Sequence, residues 1–315
     1  MRNERSRHDR TEDIVTTDHT LDAATGMDAV TLRVGDLENM SGYYSAALGL
    51  APIEERTRGG EVHRVLGRGE IPLVRLVHTP DLPPVNPRDA GLFHTAFLFD
   101  TAADLAATVY TAAQDSRTRF TGSADHVVSE AFYFTDPEGN GIELYTDRPR
   151  ETWQKVNGQL HMDTLPLDPN TYLRTHLTEQ HLNNLASTPG RVGHVHLQVG
   201  DIPRAQDYYV NVLGFEATLS GYPGALFASA GGYHHHVGMN TWQSRGAGPR
   251  AARLGLGDLA ITVPTRDDLD ALIARMHTRG IQAQDLGWAV RSRDPWGTEV
   301  TVAVAGSTTE QLLGA

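Results

Sequence analysis

Gly91-Leu-Phe-His94-Thr-Ala-Phe-Leu-Phe99 and Phe132-Tyr133-Phe-Thr-Asp136-Pro-Glu-Gly-Asn-Gly-Ile-Glu143-Leu-Tyr145 bracket one stretch of the chain, and its reading decides the fold. Both ends are apolar and aromatic, as strands are, the segment between them has helical periodicity, and the Asp-Pro-Glu-Gly-Asn-Gly run is a turn. A histidine at the start of one strand and a carboxylate within another can build a metal site across a sheet. The remaining ligand must lie elsewhere in the chain.

Internal repetition gives the architecture. Val195-His-Leu-Gln-Val-Gly200-Asp201-Ile, followed by Tyr208-Tyr209 and Leu213-Gly214, repeats Val30 to Leu50 at an offset of 165, with Tyr43-Tyr44 matching the second tyrosine pair. Gly255-Leu-Gly-Asp258-Leu-Ala-Ile-Thr-Val repeats Gly91 to Phe99 at an offset of 164, and Asp294-Pro-Trp-Gly echoes Asp136-Pro-Glu-Gly. The chain is therefore read as α+β, built from four βαβββ modules at roughly 27–80, 90–148, 191–243 and 254–305. Modules one and two form an N-terminal domain (27–148) and modules three and four a C-terminal one (191–305). Residues 149–190 are a connector with a helix expected from Asn170 to Leu185, while 1–26, polar and aperiodic, and 306–315 are expected to be tails. The tyrosine pairs sit at helix spacing and are read mainly as core.

Composition narrows the function. The 315 residues are 39% hydrophobic with no run of eighteen apolar residues, so no membrane span is expected, and no secretory signal opens the chain. Zero cysteines exclude disulfides and thiolate ligands and leave His, Asp and Glu as the strong metal ligands; a cytoplasmic enzyme is the expectation. A formal charge of -12 argues against nucleic-acid binding. A homodimer is a candidate assembly.

Equivalent first-strand positions of the modules read Ala29, His94, His194 and Asp258; on the last strand, module two has Glu143 where module four has Thr301. Two histidines and one carboxylate with open positions suit non-haem Fe(II) or Mn(II) that binds substrate and O₂ together. His94, Glu143 and His194 form that set if modules two and three face each other. A lone histidine on an apolar strand is more often a satisfied core residue, but two at repeat-equivalent positions beside a carboxylate reverse those odds. His196 shares a face with His194 and is read as supporting it or as core.

The module pattern, the Asp-Pro-Glu-Gly-Asn-Gly-Ile-Glu143 strand and Gly232-Tyr-His-His-His236-Val-Gly-Met-Asn-Thr-Trp242 resemble the vicinal oxygen chelate superfamily, and within it the catechol-2,3-dioxygenase-like extradiol enzymes, over nearly all of residues 27–305. The resemblance implies the glyoxalase/bleomycin resistance/dihydroxybiphenyl dioxygenase fold, with modules paired into two incomplete-barrel half-sites, and an enzyme that opens a catechol or hydroquinone ring with O₂. It implies a tyrosine ten residues before the metal Glu, matched by Tyr133, and an acid/base histidine, for which His236 is the first choice and His234 the second. Strand alternation would put His235 on the opposite face. His126, seven residues before Tyr133, matches a histidine that contacts substrate or oxygen.

In the common extradiol arrangement the metal lies within the C-terminal half, which here offers His194, Asp258 and Glu299 and lacks a second histidine. A swapped pairing, module two with three and one with four, is therefore expected, with His194, Asp258 and Glu299 as the runner-up site. A glyoxalase-like metal enzyme and a non-enzymatic small-molecule binder are the competing functions.

Overall fold

Each of the four repeats closes as one strand, one helix and three further strands in a computed structural model, which describes residues 20–306 and residue 311. After a short β1 (Gly26–Met27), module one holds β2 (Val30–Val34), α1 (Leu37–Leu48), β3 (Ala51–Arg58), β4 (Glu61–Arg68) and β5 (Ile71–His78). Module two holds β6 (Gly91–Phe99), α2 (Ala102–Gln114), β7 (Arg119–Asp125), β8 (Ser129–Thr135) and β9 (Gly141–Asp147). The connector carries β10 (Lys155–Val156), β11 (Gln159–Leu160), β12 (Leu165–Pro166), α3 (Pro169–His176) and α4 (Glu179–Asn183). Module three follows with β13 (Arg191–Gln198), α5 (Ile202–Gln206), a π-helical turn over Asp207–Val212, β14 (Glu216–Leu219), β15 (Ala225–Ser229) and β16 (Val237–Asn240). Module four holds β17 (Gly255–Val263), α6 (Arg266–Thr278), β18 (Ala283–Asp285), β19 (Ala289–Arg293) and β20 (Glu299–Val304).

The modules pair across the duplicated halves. One nine-stranded sheet runs β12-β7-β8-β9-β6-β13-β16-β15-β14, joining modules two and three through antiparallel β6 and β13. The other runs β18-β19-β20-β17-β2-β5-β4-β3, joining modules four and one through antiparallel β17 and β2, with β1 against β17. This is the swapped pairing that the ligand positions require.

Matching latches hold the two sheets together. Tyr44 of α1 donates to the buried carboxylate of Asp136 in the Asp-Pro turn of module two, and Tyr209 donates to Asp294 in module four, each at 3.0 Å. Burial pushes Asp136 up to about 6, against the pull of the Asn140, Tyr44 and Glu138 donors. Glu138 accepts from the backbone of Gly35 and Asp36 just ahead of α1, while its repeat equivalent, Trp296, is fully buried against Gly200 and donates to Ala247 O. The tyrosine pairs are core residues as read from their spacing, and their hydroxyls also bind the turns.

Two local expectations change. The connector helix is two helices, because Leu177 and Thr178 take extended backbone and the Thr178 hydroxyl caps the second by accepting from His181 N. The expected N-terminal tail falls mainly outside the described residues, but its last part is fixed: Leu21 is buried and its N–H donates to Gly214 O, and Gly26 and Met27 pair with Thr262 and Ile261. Of the C-terminal tail, 307–310 and 312–315 lie outside the described residues. No described helix is long and apolar enough to cross a membrane.

Candidate metal centre

β13, β6, β9 and β8 lie side by side in the second sheet, and their registers make one row of His194, Ala96, Glu143 and Tyr133. Residues opposite one another in a sheet share a face, so these four point the same way. Ala96 is the small member, and across it Glu143 and His194 meet: His194 Nε2 lies 3.1 Å from Glu143 Oε2. His94, two residues before Ala96 on the same face, brings its Nε2 to 2.9 Å from the same oxygen. His196 is opposite His94 in the next row. Glycines make room for the rings: a Cβ on Gly141 would lie 2.9 Å from His94 Cβ and 2.0 Å from Phe93 O, and one on Gly238 2.9 Å from the His196 ring.

The electrostatics suit a cation. Burial opposes ionisation of Glu143, yet the flanking imidazoles of His194 and His94 outweigh it and hold the carboxyl well below its usual range. Burial pushes His194 down to about 4, leaving the neutral ring whose lone pair a metal needs. One ligand atom from each of His94, Glu143 and His194 lies within 4.8 Å of the others, and all three residues are buried. His94 Nε2, for all its closeness to Glu143, makes no directed hydrogen bond. Two imidazole nitrogens and a carboxylate oxygen converging on one point, one of them orphaned, fit a divalent first-row metal held by these residues.

A cavity of about 670 Å³ opens over His94 and Glu143 of this set. Polar groups line it beside the candidate metal ligands. Tyr133, whose hydroxyl burial and Glu143 together push well above its ordinary value, lies 2.7 Å from His126 Nε2, and His126 Nδ1 lies 2.8 Å from Asp163 O. A carbonyl can only accept, so the His126 proton sits on Nδ1 and Tyr133 donates to Nε2. Aromatic side chains also line it: Phe93, Phe227, Tyr222 and Trp242, with Phe93 and Trp242 against His196 at ring-centre distances of 5.1 and 5.6 Å.

The histidine run is placed differently from the strand-based expectation. Residues 233–236 are irregular, and β16 begins only at Val237, so period-two alternation does not govern them. His234 and His235 line the cavity; His236 faces Tyr233 and Phe215 and accepts from Ala230 N through Nδ1. Burial drops His236 to about 3. Together with His194, His234 and His235 form the second of two groups of close metal-type ligands among the described residues.

The runner-up set is not assembled. His194 is in one sheet and Asp258 and Glu299 are in the other, where Asp258 accepts from Thr301 and Glu299 pairs with Arg291 and Arg293. Burial and the neighbouring Glu299 push Asp258 up to about 7. Sequence reasoning placed His235 on the opposite face and His196 as support or core; both line the cavity.

The fold and the row of ligands define a class: the chain belongs to the Glyoxalase/Bleomycin resistance protein/Dioxygenase superfamily, whose sequence profile matches residues 26–144 and 191–302. Within it, the chain groups with the catechol-2,3-dioxygenase-like members. It is 33% identical over 271 residues to Catechol-2,3-dioxygenase of Bacillus subtilis (strain 168), covering 84% of this chain and 92% of that one. A shorter match, 36% over 80 residues, covers 24% of this chain and 42% of Biphenyl-2,3-diol 1,2-dioxygenase 2 of Rhodococcus globerulus. Among solved structures, a putative dioxygenase from Bacillus subtilis superposes with a TM-score of 0.60 at 13% identity, over 90% of this chain and 86% of that one. Glyoxalase I of Zea mays gives 0.55 at 16%, over 92% and 95%; both likenesses concern the fold.

Proposed function

We propose that the protein is an extradiol ring-cleaving dioxygenase that opens a catechol or hydroquinone ring with O₂. The observation that carries the reading is the convergence of His94, Glu143 and His194 beneath a cavity that joins a Tyr133–His126 pair to an aromatic wall. Fe(II), with Mn(II) as the second choice, held by those three residues, supplies the redox centre at which a chelating diol and O₂ can meet.

The protein's own groups handle the protons and the ring. A diol hydroxyl beside Tyr133 can donate to the phenol oxygen while Tyr133 donates to His126 Nε2, a two-step path by which a substrate proton reaches a half-exposed imidazole. Phe93, Phe227 and Trp242 offer faces and edges for the aromatic ring and keep water from it. His235 takes the acid/base role expected of His236, because it and His234 border the cavity.

Loading the metal-free chain with Fe(II) under nitrogen, then adding catechol or hydroquinone and air, tests the reading. A yellow ring-opened product and uptake of one O₂ per diol are the expected result. Stoichiometric Fe or Mn with no product from either diol would overturn it in favour of a glyoxalase-like enzyme, and purification with no bound metal would favour a binding protein.

A further inference from the structure

The loops that lead into β6 and β17 are repeat equivalents, Asn86 to Gly91 matching Arg250 to Gly255 at the offset of 164. Together with the first residues of those two strands, one from each sheet, they line a cavity of about 230 Å³. Phe93, Thr135, Gly141 and Gln243 line both this cavity and the one over His94 and Glu143, so the two are neighbours. Duplication has left the charges of the two loops unequal. At one equivalent pair, Asp89 and Arg253, opposite charges meet at 2.8 Å, and Arg253 also donates to Pro84 O at 3.3 Å. At another, Asn86 serves its own turn by accepting from Arg88 N at 3.1 Å, whereas Arg250 is turned to no such use.

The Arg250 guanidinium lies over Gly91, where a Cβ would be 3.7 Å away, and among the described residues it makes no hydrogen bond or ion pair. Burial holds its pKa below the ordinary arginine value; Asp294 opposes that through space, and Arg33 adds to it. Asp294 is already engaged, its Oδ1 accepting from the backbone of Trp296 and Thr298 and its Oδ2 from Tyr209. An arginine is seldom taken this far out of water without a partner, because the desolvated charge is costly.

We propose that this cavity is a binding site for a small oxyanion, inorganic phosphate or a short carboxylate, held by the Arg250 guanidinium. A guanidinium presents its N–H donors in a planar fork that matches two oxygens of either group. The charged residues lining the cavity are Arg250, Arg253 and Asp89, and the last two are paired, which leaves one positive charge for a ligand in a chain of net charge -12. The volume is several times the roughly 30 Å³ of one water, enough for such an ion with part of its hydration shell. The site stands apart from the dioxygenase reading, since binding there needs no turnover.

The experiment uses the full chain with ¹⁵N-labelled arginine, loaded with diamagnetic Zn(II) in a buffer free of phosphate and carboxylate. It is titrated with inorganic phosphate, with succinate and, at matched ionic strength, with chloride. The Nε–Hε signal of Arg250, assigned with Arg250→Gln, should follow a saturating curve with phosphate or succinate at a Kd at or below about 1 mM, and chloride should move it little. Whichever oxyanion saturates the signal identifies the ligand class. The Arg253 signal should respond in the wild type and fall silent in an Arg250→Gln chain whose far-ultraviolet spectrum is unchanged. Arg250→Lys, which keeps the charge and loses the fork, should bind about tenfold more weakly. No response to phosphate or succinate in the wild type, or one linear drift shared by all three salts, overturns the proposal, and that arm needs no variant to fold. Saturable binding that persists at the Arg253 signal in Arg250→Gln overturns it as well.

Discussion

Ala96 lies between Glu143 and His194 in the sheet, and its methyl group is all that separates their side chains. Ala96→Leu, fully buried, should fill that gap: the far-ultraviolet spectrum of the chain should be kept while metal content, read by atomic emission, falls from about one per chain toward zero. Glu143→Gln should have the same effect on metal without the steric cause. Tyr133→Phe removes the hydroxyl between cavity and His126 and should lower kcat by about a hundredfold with metal retained, in a stopped-flow assay of ring opening. At this scale His94, Glu143 and His194 were legible because each sits on a regular strand at a repeat-equivalent position. His236 was misread because residues 233–236 leave the strand, and no period applies there.

The Asp-Pro turns act as elements, each clamping a helix tyrosine from the other sheet. Because Asp136 has a folded value of about 6, above the unfolded carboxyl at about 3.9, its protonated form favours the fold. Stability from this group is complete below the unfolded value and is lost as pH rises toward 6, a decline on the order of 2–3 kcal/mol. Urea unfolding between pH 4 and 7 should therefore show a flatter profile in Asp136→Asn than in the wild type. Tyr44→Phe should cost about 1 kcal/mol near neutral pH, since Asp136 keeps its Asn140 and Glu138 donors. The strands and long helices of all four modules could be read from period and repetition. The break at Thr178 could not, because a threonine reads as a cap only once the backbone before it is known to be extended.

Across the whole molecule, neither duplicated half owns a complete sheet. Chains cut at the exposed Asn157–Gly158 turn and produced separately should each fail to hold metal at stoichiometry, and mixing or co-expressing them should restore one metal per pair. Full metal binding by the C-terminal piece alone would contradict the swapped pairing. The pairing itself was inferable from sequence only through the ligands, since hydrophobic pattern is equally satisfied by either way of joining the modules.

The seam between β6 and β13 also sets an order of events during synthesis. His94 and Glu143 leave the ribosome well before His194, and the sheet that holds all three is not finished until β16 has emerged. A nascent chain thus carries only two of the three candidate ligands for about a hundred residues of elongation, about five to twenty seconds of synthesis. Capture of a metal by this set would consequently be a late event, and a premature stop before Arg191 would release a product without His194.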